Sequence, residues 1–215
     1  MNKLVICDLD GTIIDSRKDL ATSINLMLKD VNLPEIDVDT VTGYVGNGAR
    51  KLVERALNGK YHDAEHALKI FKKYYKKNIL NETIVYPTVP DGLEKLHKNN
   101  IKLSLISNKP SENCIEILQH FNLDKYFDVV FGGDEKHPLK PDPKTVVLSI
   151  EKTNATKENS WIIGDSLADL NAGRNAGIKC CYAEYGFFQL NKNDFDYSVD
   201  TFAKFADFIL QFTIK

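Results

Sequence analysis

Two acidic residues follow directly after the first apolar run of the chain. Residues 4–7 read Leu-Val-Ile-Cys, and such a run predicts a strand buried on both faces of a parallel sheet. Asp8 and Asp10 come next, and Gly11 lets the chain turn sharply after them. Two neighbouring carboxylates repel each other unless a cation lies between them or one keeps its proton. The pair suits a divalent metal, a nucleophile beside a general acid, or both; the alternative is a plain Asp-Gly turn.

Further polar groups follow later predicted strands, at the point where each strand ends. Because the carboxyl ends of parallel strands share one edge of a sheet, we expect these groups to converge with the first two acids. They are Ser107, Asn108, Lys140, Asp165 and Asp169. Carboxylates suit magnesium, whereas a lysine with a hydroxyl and an amide suits the oxygens of a phosphoryl group. A carboxylate can also attack phosphorus to give an acyl phosphate, so the predicted reaction class is phosphoryl transfer.

The elements that must position these residues alternate between helix and strand from residue 86 onward. The spacing predicts helices over residues 91–98, 111–120, 143–152, 167–176 and 201–212. It predicts strands over residues 101–107, 129–131, 160–164, 178–182 and 197–199. This alternation indicates an α/β protein with right-handed crossovers and a parallel sheet covered by helices on both faces.

A stretch with a different hydrophobic pattern precedes this alternation of helices and strands. From residue 19 to about residue 80, apolar residues recur at helical spacing. Breaks at Asn32-Leu33-Pro34 and Asn58-Gly59 divide the stretch, and a glycine-rich loop at residues 43–48 opens a helix. We therefore expect a helical insert.

Composition narrows the classes of protein and of partner. The chain has 215 residues, 43% of them apolar and 27% charged, with a net charge of −2. That charge gives no general attraction to nucleic acid or to anionic membranes. No apolar stretch approaches the roughly 20 residues that span a bilayer, and the amino end does not resemble a signal peptide. We expect a cytoplasmic monomer or homodimer with four reduced cysteines, which binds no nucleic acid or membrane.

Four short motifs together resemble the haloacid dehalogenase-like hydrolase superfamily. They are DLDGT at residues 8–12, SN at 107–108, KPDP at 140–143 and GDSLAD at 164–169. The resemblance implies a Rossmann-like parallel sheet flanked by helices, with an α-helical cap domain inserted after the first motif. It places the catalytic core at residues 1–15 and 84–215 and the cap at residues 16–83.

The resemblance also implies a role for each motif residue. Asp8 would be the nucleophile, and Asp10 the acid that protonates the leaving oxygen and later deprotonates water. Lys140 would neutralise the phosphoryl group and orient Asp8, while Thr12, Ser107 and Asn108 would bind the substrate. Magnesium would be bound by Asp8, by the main-chain carbonyl of Asp10 and by Asp165, with Asp169 behind these ligands. We expect negatively charged neighbours and partial burial to keep a proton on Asp10.

The predicted cap contains a segment that resembles the cap of bacterial phosphoglycolate phosphatases in this family. Its candidate substrate-binding residues are Gly46, Asn47, Gly48, Arg50 and Arg55. Main-chain amides at a helix start and nearby cations favour an anion, so a small carboxylated phosphate ester is expected. The alternative is that residues 46–48 form only a tight turn between cap helices.

We therefore predict a magnesium-dependent phosphatase that acts on a small phosphorylated metabolite, with 2-phosphoglycolate as the first choice of substrate. Two alternatives remain at this stage. One is another phosphatase of the superfamily, acting on pyrophosphate, a nucleotide or a sugar phosphate, or a phosphomutase. The other is a module that binds a phosphorylated metabolite without turning it over.

Overall fold

A computed structural model describes residues 2–134 and 137–211 of the chain. Its strands are β1 Asn2–Cys7, β2 Ile14–Asp15, β3 Ile84–Val85, β4 Lys102–Ile106, β5 Val129–Phe131, β6 Ala155–Gly164, β7 Lys179–Ala183 and β8 Tyr197–Val199. Its α-helices are α1 Arg17–Asp30, α2 Val38–Thr42, α3 Gly48–Leu57, α4 Ala64–Asn78, α5 Val89–Lys98, α6 Ser111–His120, α7 Lys144–Thr153, α8 Leu167–Ala176 and α9 Phe202–Gln211.

Among the described residues, six strands form one sheet in the order β5-β4-β1-β6-β7-β8. The pairs β1–β4, β1–β6, β4–β5, β6–β7 and β7–β8 are all parallel. β1 lies between β4 and β6, and its residues Leu4 to Cys7 are at most 1% exposed. This burial on both faces explains why that part of the strand is continuously apolar. The predicted α/β fold with a parallel, Rossmann-like sheet is confirmed.

The hydrophobic core lies between the sheet and the helices that pack against it. Apolar side chains of β1 and β6, such as Ile6 and Ile162, pack with Val146 of α7 and Leu170 of α8. These residues are 1% exposed or less, so their side chains contribute nearly their full apolar area to stability. The helices thus fix the strand that leads to Asp8.

Several element boundaries differ from the sequence-based predictions. β6 begins at Ala155 rather than Ser160, because Ala155 pairs with Asn2 of β1 before the apolar part of the strand begins. α5 begins at Val89, before Pro90, because proline is tolerated in the first helical turn. The short helix α2 was not predicted; the side chain of Asp37 caps it by accepting a hydrogen bond from the Thr40 amide over 2.8 Å. Phe212, the predicted end of the last helix, lies outside the described residues.

The chain divides into two compact units, one made of the described residues of Met1–Ile14 and Val85–Lys215, the other of Asp15–Ile84. Between β2 and β3, the regular elements of the second unit are all α-helices, as expected for the insert. β2 and β3, which begin and end it, pair with each other in a two-stranded sheet.

Within the helical unit, apolar faces of α1, α3 and α4 form the interior. α1 contributes Ile24 and Met27, both 0% exposed, and α4 contributes Phe71 and Tyr75, whose rings stack with centroids 5.5 Å apart. Tyr74 on the same helix is partly exposed and donates to Asp30. The aromatic residues of α4 therefore serve packing, with the intervening lysines directed outward.

In the described part of the chain, no helix combines the length and the apolar character that crossing a bilayer requires.

Candidate active site

Asp8 is the first residue beyond β1, yet its main chain is still held by the sheet. Its amide donates to the carbonyl of Ile163 in β6 over 3.0 Å. On the other side of β1, the amide of Ser107 is held in the same way by the carbonyl of Phe131 in β5, over 2.9 Å. These two residues therefore start from fixed main-chain positions at one edge of the sheet.

A buried ammonium group joins two of the carboxylates. Lys140 Nζ donates to Asp8 Oδ1 and to Asp169 Oδ1, each over 2.5 Å, and to the carbonyl oxygen of Ile106 over 2.9 Å. These contacts match the three donors of an ammonium group, and Lys140 is only 4% exposed. Burial opposes its charge, but the carboxylates of Asp169 and Asp8 raise the pKa of Lys140 above its usual value. Lys140 is therefore a fixed positive charge that orients Asp8.

Asn108 holds the main chain of Lys140 from both sides. Its Oδ1 accepts from the Lys140 amide over 2.8 Å, and its Nδ2 donates to the Lys140 carbonyl over 3.1 Å. The amide group of Asn108 was predicted to bind phosphoryl oxygens. In the structure its carbonyl and one of its N–H groups serve to place the lysine.

Asp165 and Asp169 lie on either side of the turn from β6 into α8. Asp165 Oδ2 accepts from the amide of Phe187 over 2.6 Å. Asp169, the third residue of α8, accepts from the amide and the hydroxyl of Ser166 over 3.0 and 2.6 Å. A carboxylate in the first turn of a helix is favoured by the helix dipole and by the unpaired amides there.

The site has the properties of a hard-cation site. Oxygen atoms of Asp8, Asp165 and Asp169, one from each, all lie within 4.8 Å of one another, and the three side chains are buried. An all-oxygen donor set of this kind fits magnesium.

The electrostatics point the same way. Burial, followed by repulsion from Asp169, raises the pKa of Asp8 to about 7 despite the contact with Lys140. Burial and the carboxylates of Asp169 and Asp8 also raise the pKa of Asp165 well above its usual value. Buried acids that crowd each other to this degree are typical of sites that hold a cation or do chemistry.

Asp10 has a neighbour that the sequence analysis did not assign to it. Its Oδ1 accepts from Lys109 Nζ over 2.7 Å, and Lys109 is 8% exposed. From the sequence we expected negatively charged neighbours and partial burial to keep a proton on Asp10. The structure adds an ammonium group in direct contact with this carboxylate, a neighbour that this expectation left out.

Comparison with known proteins identifies the family. The family model for haloacid dehalogenase-like hydrolases matches residues 5–183. The chain belongs to the haloacid dehalogenase-like hydrolases. It is 38% identical over 197 residues to a phosphoglycolate phosphatase of Aquifex aeolicus, covering 92% of each chain. It is 37% identical to one of Psychrobacter arcticus, covering 97% of this chain and 96% of that protein.

A solved structure with the same fold supports the assignment of this haloacid dehalogenase-like hydrolase to the family. The crystal structure of a predicted phosphoglycolate phosphatase from Haemophilus somnus is 31% identical and aligns with a TM-score of 0.90. The alignment covers 96% of this chain and 97% of that one. The resemblance that the four motifs indicated is therefore confirmed at the level of the family and the fold.

Two predicted substrate-binding residues of the hydrolase lie at the sheet edge with different surroundings. Ser107 is 4% exposed, and its Oγ accepts from the Lys109 amide over 3.2 Å. Thr12 is 0% exposed, and its Oγ1 has no hydrogen-bond partner among the described residues. A side chain with no exposed surface does not support direct contact with a substrate, so Thr12 is the weaker of the two predictions.

The predicted cap residues lie within the helical unit. Arg55 donates to the carbonyl of Tyr44 over 2.8 Å and to Oδ1 of Asn47 over 2.7 Å, so it braces the glycine-rich loop. Gly46 and Gly48 have φ angles of +102° and +83°, which favour glycine. Arg50 forms an exposed ion pair with Glu65. These contacts fit the tight-turn interpretation of the loop, and substrate binding by these residues stays a prediction.

Proposed function

We propose that this protein is a phosphatase that hydrolyses a small phosphomonoester, 2-phosphoglycolate in the first place, through an aspartyl-phosphate on Asp8. The observation that supports this most directly is the contact of Lys140 with Asp8. A buried carboxylate, held by the sheet at its main chain and by an ammonium at its side chain, has a fixed direction of attack.

In the first half of the reaction an oxygen of Asp8 attacks phosphorus, and the bond from phosphorus to the ester oxygen breaks. Asp10 gives its proton to the departing oxygen, so that an alcohol leaves rather than an alkoxide. Lys140 keeps its positive charge throughout and lowers the repulsion between the carboxylate and the phosphoryl group. Lys109 contributes a second positive charge beside Asp10.

In the second half Asp10 is ionised and takes a proton from a water molecule. The oxygen of that water attacks the phosphorus of the aspartyl-phosphate. The bond from phosphorus to Asp8 breaks, and inorganic phosphate leaves with Asp8 again a free carboxylate. Asp10 ends the cycle protonated, so one residue serves as acid and then as base.

The cation is proposed to be Mg²⁺, held by Asp8, the carbonyl of Asp10 and Asp165. When bound it supplies positive charge to the phosphoryl oxygens. Asp169 contributes indirectly, because both of its carboxylate oxygens accept hydrogen bonds, Oδ1 from Lys140 and Oδ2 from Ser166.

The choice of 2-phosphoglycolate is supported by the relatives, which carry that name at 37 and 38% identity over nearly the whole chain. They also favour a phosphatase over a module that only binds. The helical unit is proposed to act as a cap that contributes to substrate choice, with Arg50 as the first candidate for the substrate's carboxylate. An exposed ion pair such as Arg50–Glu65 is worth little, so its exchange for a substrate anion costs little.

The test is phosphate release from a panel of esters, with and without Mg²⁺. The panel contains 2-phosphoglycolate, pyrophosphate, a nucleoside monophosphate and a hexose phosphate. We expect kcat/KM for 2-phosphoglycolate to exceed the others by at least about tenfold. A site that binds the polar carboxylate of the substrate discriminates more strongly against esters that lack it than an apolar pocket would. An equal rate for all esters contradicts the substrate, and no release from any of them with Mg²⁺ contradicts the phosphatase.

A further inference from the structure

The segment after β7 takes no part in the reaction described above, yet it contacts both acidic segments of the site. It consists of Tyr185, Gly186 and Phe187, which we name the 185–187 loop. Because β7 is paired with β6, this loop emerges at the same edge of the sheet as Asp165.

Phe187 holds one oxygen of the Asp165 carboxylate. Its main-chain N–H donates to Oδ2 over 2.6 Å. A carboxylate with one oxygen bound in this way is restricted in rotation, so the position of Oδ1 is restricted as well. Neighbours of this kind orient the ligands of metal sites in general.

Gly186 lies against the same side chain. A Cβ on Gly186 would fall 2.2 Å from Asp165 Cβ and 2.5 Å from the carbonyl oxygen of Gly11. Gly11 approaches the carboxylate as well, since a Cβ there would fall 2.1 Å from Asp165 Oδ2. Two glycines therefore let main chain approach Asp165 more closely than any other residue type would allow.

Tyr185 ties the loop to the segment that follows Asp10. Its hydroxyl donates to the carbonyl oxygen of Thr12 over 3.0 Å. Its ring packs edge to face against Tyr86, with centroids 5.0 Å apart. The loop thus connects the segment that bears Asp8 and Asp10 with the carboxylate of Asp165.

We propose that the 185–187 loop is a positioning element of the divalent-cation site, and that its glycine sets the affinity for the cation by fixing Asp165. The inference rests on the proposed function in one respect, since it takes Asp165 as a ligand of that cation. Mg²⁺ requires short bonds in a nearly ideal octahedron, so displacement of one carboxylate weakens binding directly.

The experiment is calorimetric titration of Mg²⁺ into the wild-type protein and into Gly186→Ala, with no ester present. We expect the Mg²⁺ dissociation constant of Gly186→Ala to rise about 10- to 100-fold, the range typical of a lost neighbour of a metal ligand. At saturating Mg²⁺ the KM for the ester should return to within about twofold of wild type, because substrate contacts are unchanged. Tyr185→Phe, which loses one hydrogen bond, should weaken Mg²⁺ binding by about threefold.

Two matched glycine variants separate this effect from a general loss of packing. In Gly92→Ala the new Cβ meets Phe202 Cδ1 at 2.5 Å, so the clash is similar but involves no acidic residue. In Gly43→Ala the nearest atom is 3.5 Å away, so there is no clash. We expect Gly92→Ala to lower the melting temperature and both variants to bind Mg²⁺ as the wild type does.

Each outcome decides the inference. Wild-type Mg²⁺ affinity in Gly186→Ala overturns it while leaving the proposed function intact, and equal weakening in Gly92→Ala overturns it as well. If the wild type binds no Mg²⁺, both this inference and the proposed cation are wrong. If Gly186→Ala does not fold by circular dichroism, Tyr185→Phe decides, since unchanged affinity there contradicts the loop's role and weaker affinity supports it.

Discussion

The two units of the molecule each bury carboxylates, and they treat them in opposite ways. In the helical unit Asp19 is 1% exposed and accepts hydrogen bonds from the amides of Glu82 and Thr83 and from the Thr83 hydroxyl, at 2.8 to 3.1 Å. In the sheet unit Asp8, Asp165 and Asp169 lie within 4.8 Å of one another. Asp19 faces neutral donors, whereas the site acids face each other.

The difference separates an acid that stabilises the fold from the acids of the proposed site. Neutral donors satisfy the charge of Asp19 without a partner ion, and they fasten the start of α1 to the segment that leaves the helical unit. The acids of the site repel one another, and the ammonium group of Lys140 relieves part of that repulsion. Burial by itself therefore does not mark a functional carboxylate; the charges around it do.

The largest expected effect comes from Asp8→Asn. Loss of the nucleophile should lower kcat by at least about 10⁴-fold, as expected when a residue that forms a covalent intermediate is removed. Because the variant also removes one of the crowded charges, it should not lower the melting temperature. Initial rates of phosphate release and a thermal melt check both halves, and comparable turnover in the variant contradicts the mechanism.

The two buried lysines should differ in their effect. Lys140→Met removes a charge that contacts Asp8, and we expect kcat/KM to fall about 10³-fold; Lys109→Met removes one beside Asp10, with a fall of about tenfold. Both variants replace lysine by methionine, which removes the charge and keeps a side chain of similar length. Steady-state kinetics at saturating Mg²⁺ measure both values of kcat/KM. A larger fall in kcat/KM for Lys109→Met would make Lys109, not Lys140, the more important ammonium group.

For the structural acid, Asp19→Asn should cost stability and spare catalysis. Replacing one oxygen by an NH₂ group leaves buried amides without their acceptor, which lowers the free energy of unfolding by about 1–3 kcal/mol. Urea denaturation measures this change. The rate per folded molecule should stay within about twofold of wild type, because the hydrogen bonds that the Asp19 side chain accepts from described residues come from Glu82 and Thr83. A loss of rate without a loss of stability would place Asp19 among the functional acids.

The smallest effect is a pH-dependent shift in melting temperature. With Asp8 at a pKa of about 7 against 3.8 in the unfolded chain, the metal-free folded state binds a proton that the unfolded state has released. Stability of the metal-free protein should therefore fall as pH rises from about 5.5 to about 8. Mg²⁺ favours the ionised carboxylates, so its stabilising effect should be larger at the higher pH.

Thermal melts with and without Mg²⁺ at both ends of this range measure that shift. Asp8→Asn is the control, since it lacks the titrating group and should show a flatter dependence on pH. An equal Mg²⁺ effect at both ends would show that the crowded acids do not titrate as proposed.

Most elements of the fold could be predicted because their signals are local. The strand of residues 129–131 and the helices of residues 111–120 and 167–176 have the predicted bounds, since apolar periodicity and terminal residues coincide there. The first half of β6 was missed because its residues Lys157 and Glu158 are exposed and polar. They lie at a register irregularity, between Ala155, which pairs with Asn2 of β1, and Ser160, which pairs with Leu4.

The sequence predicted which residues form the candidate site better than it predicted the hydrogen bonds between them. Strand order alone brings Asp8, Ser107 and Asp165 to one edge, and that rule needs no side-chain detail. The hold of Asn108 on Lys140 and the pairing of Lys109 with Asp10 join residues 32 and 99 positions apart, and no local pattern encodes them. The 185–187 loop was within reach of the same rule, because it follows the end of a parallel strand.

The pairing of β2 with β3 has a consequence for how such a protein diversifies. Because these strands are neighbours, the chain departs from the sheet unit and returns to it at adjacent points, although about 70 residues lie between them. An insertion, deletion or exchange within that stretch leaves both attachment points where they are. Changes in the insert can therefore accumulate without altering the register of the strands that end near Asp8 and Asp165.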